Sequence, residues 1–431
     1  MIKTTLDAGL WLAAVLVLAG VTACGSQVDS CASEKQAPGC AAELADDQPL
    51  PTWAERATPA HGVAVYFDRS ASMCGFLDPT FAATNPKDYH GVLDRLIVGL
   101  SPARAFAFGA KLQSIPARMA TIADQAFCTD RDTRTEDALA EVTRDTALTY
   151  DHVLVTDGRR GSARAARGQY VAMRELAASW IARGGTVAVG ATLAPFHPVP
   201  GDPSGCRRAG EQDRDAATCP LYAFSFVAPG DETAITGTLA DVFEHVFVWP
   251  VRSAAPLALV VPQAANASID VRTSWTSRAG QPIARARGRE LTAIPTLGRI
   301  EVANGSTWAG KAAQAVVRGE RMSAEVSVRP LTKAAPGWQP TGASAALVQV
   351  APPDTLRLTS YGPPSPGTPS AYIYRVELIP TGEPTWLSQF RATDTYDSTR
   401  TVGLELLFEQ FKDQAQRSKP APVGRLYVVA N

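Results

Sequence analysis

The chain has 431 residues and a formal net charge of −1, from 41 basic and 42 acidic side chains. That balance, with no basic stripe interleaved with aromatics, offers no footprint for nucleic acid. The length is that of two or three domains, and no internal repeat divides it into an array.

At the N-terminus, Lys3 precedes an apolar stretch, Ala8 to Ala23, shorter than the ~20 residues a membrane-spanning helix needs. It closes on Val21-Thr22-Ala23-Cys24-Gly25, small residues before a cysteine, which resembles a bacterial lipobox. On that reading residues 1–23 are a signal peptide, and Cys24 becomes a lipidated N-terminus in the cell envelope. Gly25 rather than Asp after the cysteine favours outer-membrane sorting in a Gram-negative cell. An ordinary cleaved signal and an uncleaved anchor are the alternatives. Residues 24–59, polar, acidic and rich in Ala and Pro, read as a flexible tether.

Residues 60–250 alternate strand and helix patterns. Val63 to Phe67 is a short apolar run, the mark of a strand covered on both faces, and it stops at Asp68, with Ser70 and Ser72 at alternate positions beyond. Asn85-Pro86 reads as the N-cap and first position of a helix whose Tyr89, Val92, Leu93, Leu96, Ile97 and Leu100 share one face. Arg104 to Phe108 follows as a strand and Thr135 to Thr146 as a helix. His152 to Thr156 is a second apolar run, ending in Asp157-Gly158. Tyr170, Met173, Leu176, Ala177, Trp180 and Ile181 stripe a longer helix that stops at Gly184-Gly185, a pattern of core packing rather than a cofactor box. Thr186 to Ala191 and Leu221 to Val227 read as strands. Between them, Pro195 to Pro220 is a charged, Pro- and Gly-rich insertion, either a recognition loop or a solvated excursion. Glu232 to Phe247 reads as a closing helix. The alternation predicts an α/β unit with a doubly wound, mostly parallel sheet.

From Val251 the texture changes. Ser268–Thr273, Arg299–Val302, Ser323–Val328, Ala345–Val350, Thr355–Thr359 and Ala371–Leu378 are short, β-branched and alternating, with turns such as Asn304-Gly305 between them. Residues 251–395 are therefore expected to form a β-sandwich-like domain. In 396–431, Leu404, Leu407, Phe408 and Phe411 mark an amphipathic helix and Arg425 to Val429 a last strand, both expected to pack on the β domain.

Asp68, Ser70 and Ser72 place one carboxylate and two hydroxyls on a single turn. Such an oxygen-only set suits magnesium, manganese or calcium rather than zinc. Alone, Asp-x-Ser-x-Ser is also common turn chemistry. In a parallel sheet, however, strand C-termini line one edge, so Asp68 and Asp157 are expected to converge there. The five histidines share no ligand or catalytic spacing, and no nucleophile elbow or phosphate loop is present, so no residue pattern speaks for an enzyme. Apart from Cys24 there are six cysteines, with 15 possible pairings. Cys31 with Cys40, and Cys206 with Cys219, would each close a short loop. A zinc site lacks any Cys-x-x-Cys spacing.

Asp68, Ser70 and Ser72 after one strand, a threonine before a later helix, and Asp157 in Thr-Asp-Gly resemble, in this order, the von Willebrand factor A (vWA) domain and its metal-ion-dependent adhesion site. Ala71 stands where the family often has Gly. Thr133, five residues before the Ala138-Leu139 pair, matches the family threonine better than the neighbouring Thr129 or Thr135. The resemblance implies a divalent cation held by Asp68, Ser70, Ser72, Thr133 and Asp157, with one position left for a carboxylate of a partner protein. It also places the loops of Cys74 and Cys128 side by side, which implies that those two pair. Arg69, Arg159 and Arg160 would fall at the rim, guiding an acidic partner or standing as plain solvated charge. The function expected is an envelope lipoprotein that binds a protein through a metal, not an enzyme. The alternatives are a metal-dependent envelope hydrolase and a structural relative with a vestigial site.

Overall fold

In the computed structural model, the described residues are 58–78, 88–131, 133–159, 163–197, 206 and 217–250, followed by strands and short segments between 269 and 430. The signal peptide, Cys24 and the tether expected before residue 58 lie outside them, as do Cys31 and Cys40.

Strand β1 (Gly62–Asp68) sits near the middle of a seven-stranded sheet. It pairs in parallel with β2 (Arg104–Phe108) on one side and β4 (Tyr150–Thr156) on the other. The short β3 (Gln113–Ser114) turns back to form one edge. Beyond β4 the order departs from a doubly wound sheet. The eleven-residue strands β5 (Thr186–Phe196) and β6 (Ala217–Val227) form one long antiparallel hairpin, and β6 rather than β5 lies against β4. Strand β7 (His245–Trp249) closes the far edge, antiparallel to β5. The sheet is thus mixed, with β1, β2, β4 and β5 pointing one way.

Alternation along β1 divides the interior in two, because successive side chains of a strand point to opposite faces. Val63, Val65 and Phe67 join one apolar cluster, covered by α1 (Tyr89–Leu100) and α4 (Glu232–Val242). Ala64 and Tyr66 join the other, covered by α2 (Thr135–Arg144) and α3 (Ala163–Ala182). Both faces of β1 and β4 are covered, as their uninterrupted apolar runs predict. The α1 cap is Asp88, whose carboxylate accepts from the Gly91 N–H at 2.7 Å; Asn85 and Pro86 lie outside the described residues.

Two expected boundaries differ. The helix from Glu232 stops at Val242, and Phe243 is extended, because His245-Val-Phe-Val-Trp pairs as a strand along β5. The insertion is shorter than expected, since Pro195, Phe196 and Ala217 to Pro220 belong to the paired arms; the rest of it, apart from His197 and Cys206, lies outside the described residues.

In the C-terminal region the described strands pair into a three-stranded and a six-stranded sheet, and the sandwich packing expected there rests on residues outside those described. The last strand, Gly424–Ala430, pairs with Tyr372–Pro380 of the larger sheet. The amphipathic helix α5 (Glu405–Ser418) packs elsewhere than expected. Its Leu407, Phe408 and Phe411 join the second cluster of the α/β unit, where the Phe247 ring centroid lies 5.0 Å from that of Phe408 and 5.5 Å from that of Phe411. Among the described residues no helix is long and apolar enough to cross a membrane.

Candidate functional site

The parallel register of β1 and β4 brings their C-terminal ends to one edge of the sheet. Asp68 ends β1 and is fully buried, and Asp157 follows β4 with 1 % exposure. The link between them is a residue the sequence reading left unassigned. Thr156 donates from Oγ1 to Asp68 Oδ2 at 2.7 Å, and its oxygen accepts from the Gly158 N–H at 3.0 Å. Asp68 Oδ1 accepts from the Ser70 N–H at 2.9 Å, which winds the turn so that the Ser70 and Ser72 hydroxyls lie 3.1 Å apart. Both serines are buried.

The Asp157 turn is set from outside. Its Oδ1 accepts from the Arg159 N–H at 3.0 Å, and Tyr170 on α3 donates to the Gly158 carbonyl at 3.1 Å. Gly158 has a φ of +70° and lies against Tyr170 Oη, so a side chain there would be both strained and obstructed.

A third segment, 127–134, lies alongside the serine turn. Ala71 N–H donates to the Asp130 carbonyl at 2.7 Å and Asp130 N–H to the Arg69 carbonyl at 3.3 Å, a two-way bridge between the loops. Cys74 and Cys128 are disulfide-bonded across the same gap, with Cα atoms 5.3 Å apart. Cys206 and Cys219 form the second described disulfide, at a Cα separation of 6.2 Å. Thr133 is buried on the stretch running from this bridge into α2. Its two rivals are engaged elsewhere. Thr129 Oγ1 accepts from Arg69 at 2.6 Å, and Thr135 donates to Gln169 at 3.2 Å.

Of the rim arginines, Arg69 is drawn into the fold. Its guanidinium pairs with Asp130 at 3.2 Å, bonds Thr129, and lies 5.9 Å from the Phe127 ring centroid, so it latches the third segment rather than reaching outward. Arg159 is half-buried, and Arg160 lies outside the described residues.

The electrostatics follow from two carboxylates in one dry place. Burial, and then the charge of Asp157, push Asp68 up to about 7, against the pull of its bonds with Ser70 and Thr156. Tyr89, the first residue of α1, is 1 % exposed, and its ring stands 5.9 Å from that of Phe76 in the turn after Ser72. Burial first, and then the charges of Asp68 and Asp157, hold its phenol above the ordinary value. Its hydroxyl has no hydrogen-bond partner among the described residues. Tyr89 was legible in the sequence only as one apolar position of a helical stripe.

The donors gathered here are carboxylates and hydroxyls, with two negative charges in a buried, oxygen-lined edge. Such a set fits a hard divalent cation. Among the described residues no group of three or more His, Cys, Asp or Glu side chains converges as a metal cluster, so any cation here depends on hydroxyl ligands beside the two aspartates. No family model, curated protein or solved structure matches the chain.

Proposed function

We propose that the α/β unit is a vWA-type module that captures an acidic segment of a partner protein through a divalent cation, on a lipoprotein of the cell envelope. The observation that carries the reading is the pair of buried aspartates at neighbouring strand ends, with the Ser70–Ser72 turn and the Thr133 segment beside them. Two like charges in low dielectric repel, and a cation between them relieves that repulsion. Asp68, Asp157, Ser70, Ser72 and Thr133 would hold the ion. Bound there, it supplies an electrophilic position for an incoming carboxylate. Because three of the five donors are neutral, the protein itself quenches little of the ion's charge. Lipid on Cys24 would confine the module to the membrane surface and raise its effective concentration toward a partner there.

The test is capture from envelope extract by the full chain, in Mg²⁺ or Mn²⁺ and in chelator, for wild type and Asp68→Ala. The expected result is a partner retained only by wild type with metal. Capture that persists in Asp68→Ala with chelator overturns the metal-dependent reading. Turnover of an ester or phosphate substrate that vanishes with Asp68→Ala would replace it with the hydrolase. Fatty-acid labelling tests the anchor separately, and label that survives Cys24→Ser removes it.

A further inference from the structure

The Tyr89 hydroxyl is in an unusual position for a buried phenol. It is sealed from solvent and feels the charges of both Asp68 and Asp157, yet it bonds to neither carboxylate nor to any other described group. An unsatisfied buried hydroxyl destabilises a fold, so a partner belongs in the gap. In a polar site a bridging water can satisfy such a group.

The position is fixed on two sides. Asp88 caps α1 immediately before Tyr89, which sets the start of the helix, and the ring packs against Phe76 of the turn that carries Ser70 and Ser72. The ring is therefore packed against the same turn that would hold the ion. Asp68 faces Ser70 and Thr156, and Asp157 faces the Arg159 N–H. Tyr89 approaches the pair from α1, the helix covering the opposite face of the sheet from α3.

We propose that Tyr89 is a positioning residue of the cation site, its hydroxyl holding a metal-bound water between α1 and the Asp68–Asp157 pair. The inference rests on the metal reading above. A water on the cation would donate to the phenol oxygen, which neither carboxylate reaches directly. The arrangement selects an ion that keeps part of its hydration shell. Magnesium dehydrates reluctantly and retains several waters, manganese has similar oxygen preferences, and the larger calcium takes more protein oxygens directly. Tyr89 thus favours the small, hydrated ions.

The experiment is titration calorimetry of the full chain with MgCl₂ and with CaCl₂, comparing wild type with Tyr89→Phe, which removes only the oxygen. Loss of an outer hydrogen bond to a metal site weakens binding by about tenfold or more. Magnesium affinity is expected to fall by about tenfold while calcium affinity changes little, so the Mg/Ca preference narrows. Without metal, Tyr89→Phe is expected to melt at or above the wild-type temperature, because it loses an unsatisfied group. Equal magnesium affinities in the two proteins overturn the inference and leave the metal reading standing. A metal-free Tyr89→Phe that melts several degrees lower also overturns it, since the hydroxyl would then have a partner within the protein. A wild type that binds no divalent ion overturns both readings together.

Discussion

Asp68 shows how one side chain makes the site conditional. With no cation its carboxyl is raised from the usual 3.8 to about 7, through burial and then the charge of Asp157. The folded protein then holds a proton that the unfolded chain has released, so stability falls as pH rises from about 4 to about 7. A shift of this size corresponds to a few kcal/mol, on the order of 1.4 per unit. In chelator, Asp68→Asn is therefore expected to unfold at higher denaturant than wild type at pH 8 and to approach it at pH 4. In saturating magnesium the order is expected to reverse, because only wild type gains the binding term. Identical pH slopes for the two proteins in chelator would sink the account of repulsion. Asp151, at the other end of β4, makes a contrast. Burial first, and then the charges of Asp231 and Glu232, raise it to about 8, while the Ala228 N–H bonds its Oδ1 at 2.7 Å. A carboxyl raised that far favours its protonated form at neutral pH, and Asn imitates that form. Asp151→Asn should stay within about 1 kcal/mol of wild type at pH 7 and exceed it above pH 8, where ionisation costs the native protein stability. A loss of several kcal/mol at pH 7, read from denaturant midpoints, would mean that the group is charged. Much of the candidate site was legible because Asp68, Ser70, Ser72 and Asp157 are polar interruptions at the ends of apolar runs. Thr156 and Tyr89 were not, because one was counted as the end of an apolar strand run and the other within a core stripe, and only the fold shows what surrounds their oxygens.

At the scale of elements, the serine turn and the 127–134 segment are held together three times over, by the Ser70–Asp130 bridge, the Arg69 latch and the Cys74–Cys128 bond. The disulfide spans a separation of 54 residues, for which loop-closure entropy gives about 4 kcal/mol. Replacing both cysteines by serine is expected to lower the denaturant midpoint accordingly and to weaken divalent-ion binding, because the segment leading to Thr133 would be tied to the Ser70 turn by the bridge and the latch alone. Unchanged binding in that double variant would show the bridge and latch to be sufficient alone. The pairing was implied by the resemblance, whereas the hairpin was not foreseen. A loop rich in Pro and Gly between two strands is read equally well as a crossover or as a tip. Only the pairing of Thr186–Phe196 with Ala217–Val227 decides between them. The end of α4 was misplaced for a related reason. Phe243, Val246 and Phe247 continue an apolar pattern that fits helix or strand over so few residues, and the free edge of β5 settles it.

Across the whole molecule, the α/β unit is completed by residues distant in sequence. Trp249 Nε1 donates to Gln414 across 165 positions, and Tyr222 bonds Thr401 across 179. Sequence periodicity marked the apolar face of α5 but could not say which surface it covers, since any bare apolar surface satisfies it. Phe411 is fully buried against Phe247 and Phe408. Phe411→Ala is expected to destabilise the α/β unit by about 3–5 kcal/mol, read from the unfolding midpoint of the full chain. A loss under about 1 kcal/mol would show α5 to be a loose appendage. The docking of α5 also has a temporal side. A chain made at about 5–20 residues per second presents β7 roughly 8 to 33 seconds before the helix that covers it. Through that interval Phe247 and Trp249 face whatever surrounds the growing chain, and a pairing of such long sequence separation is slow to find. The last face of the second apolar cluster is thus sealed only when the final fifty residues have been made.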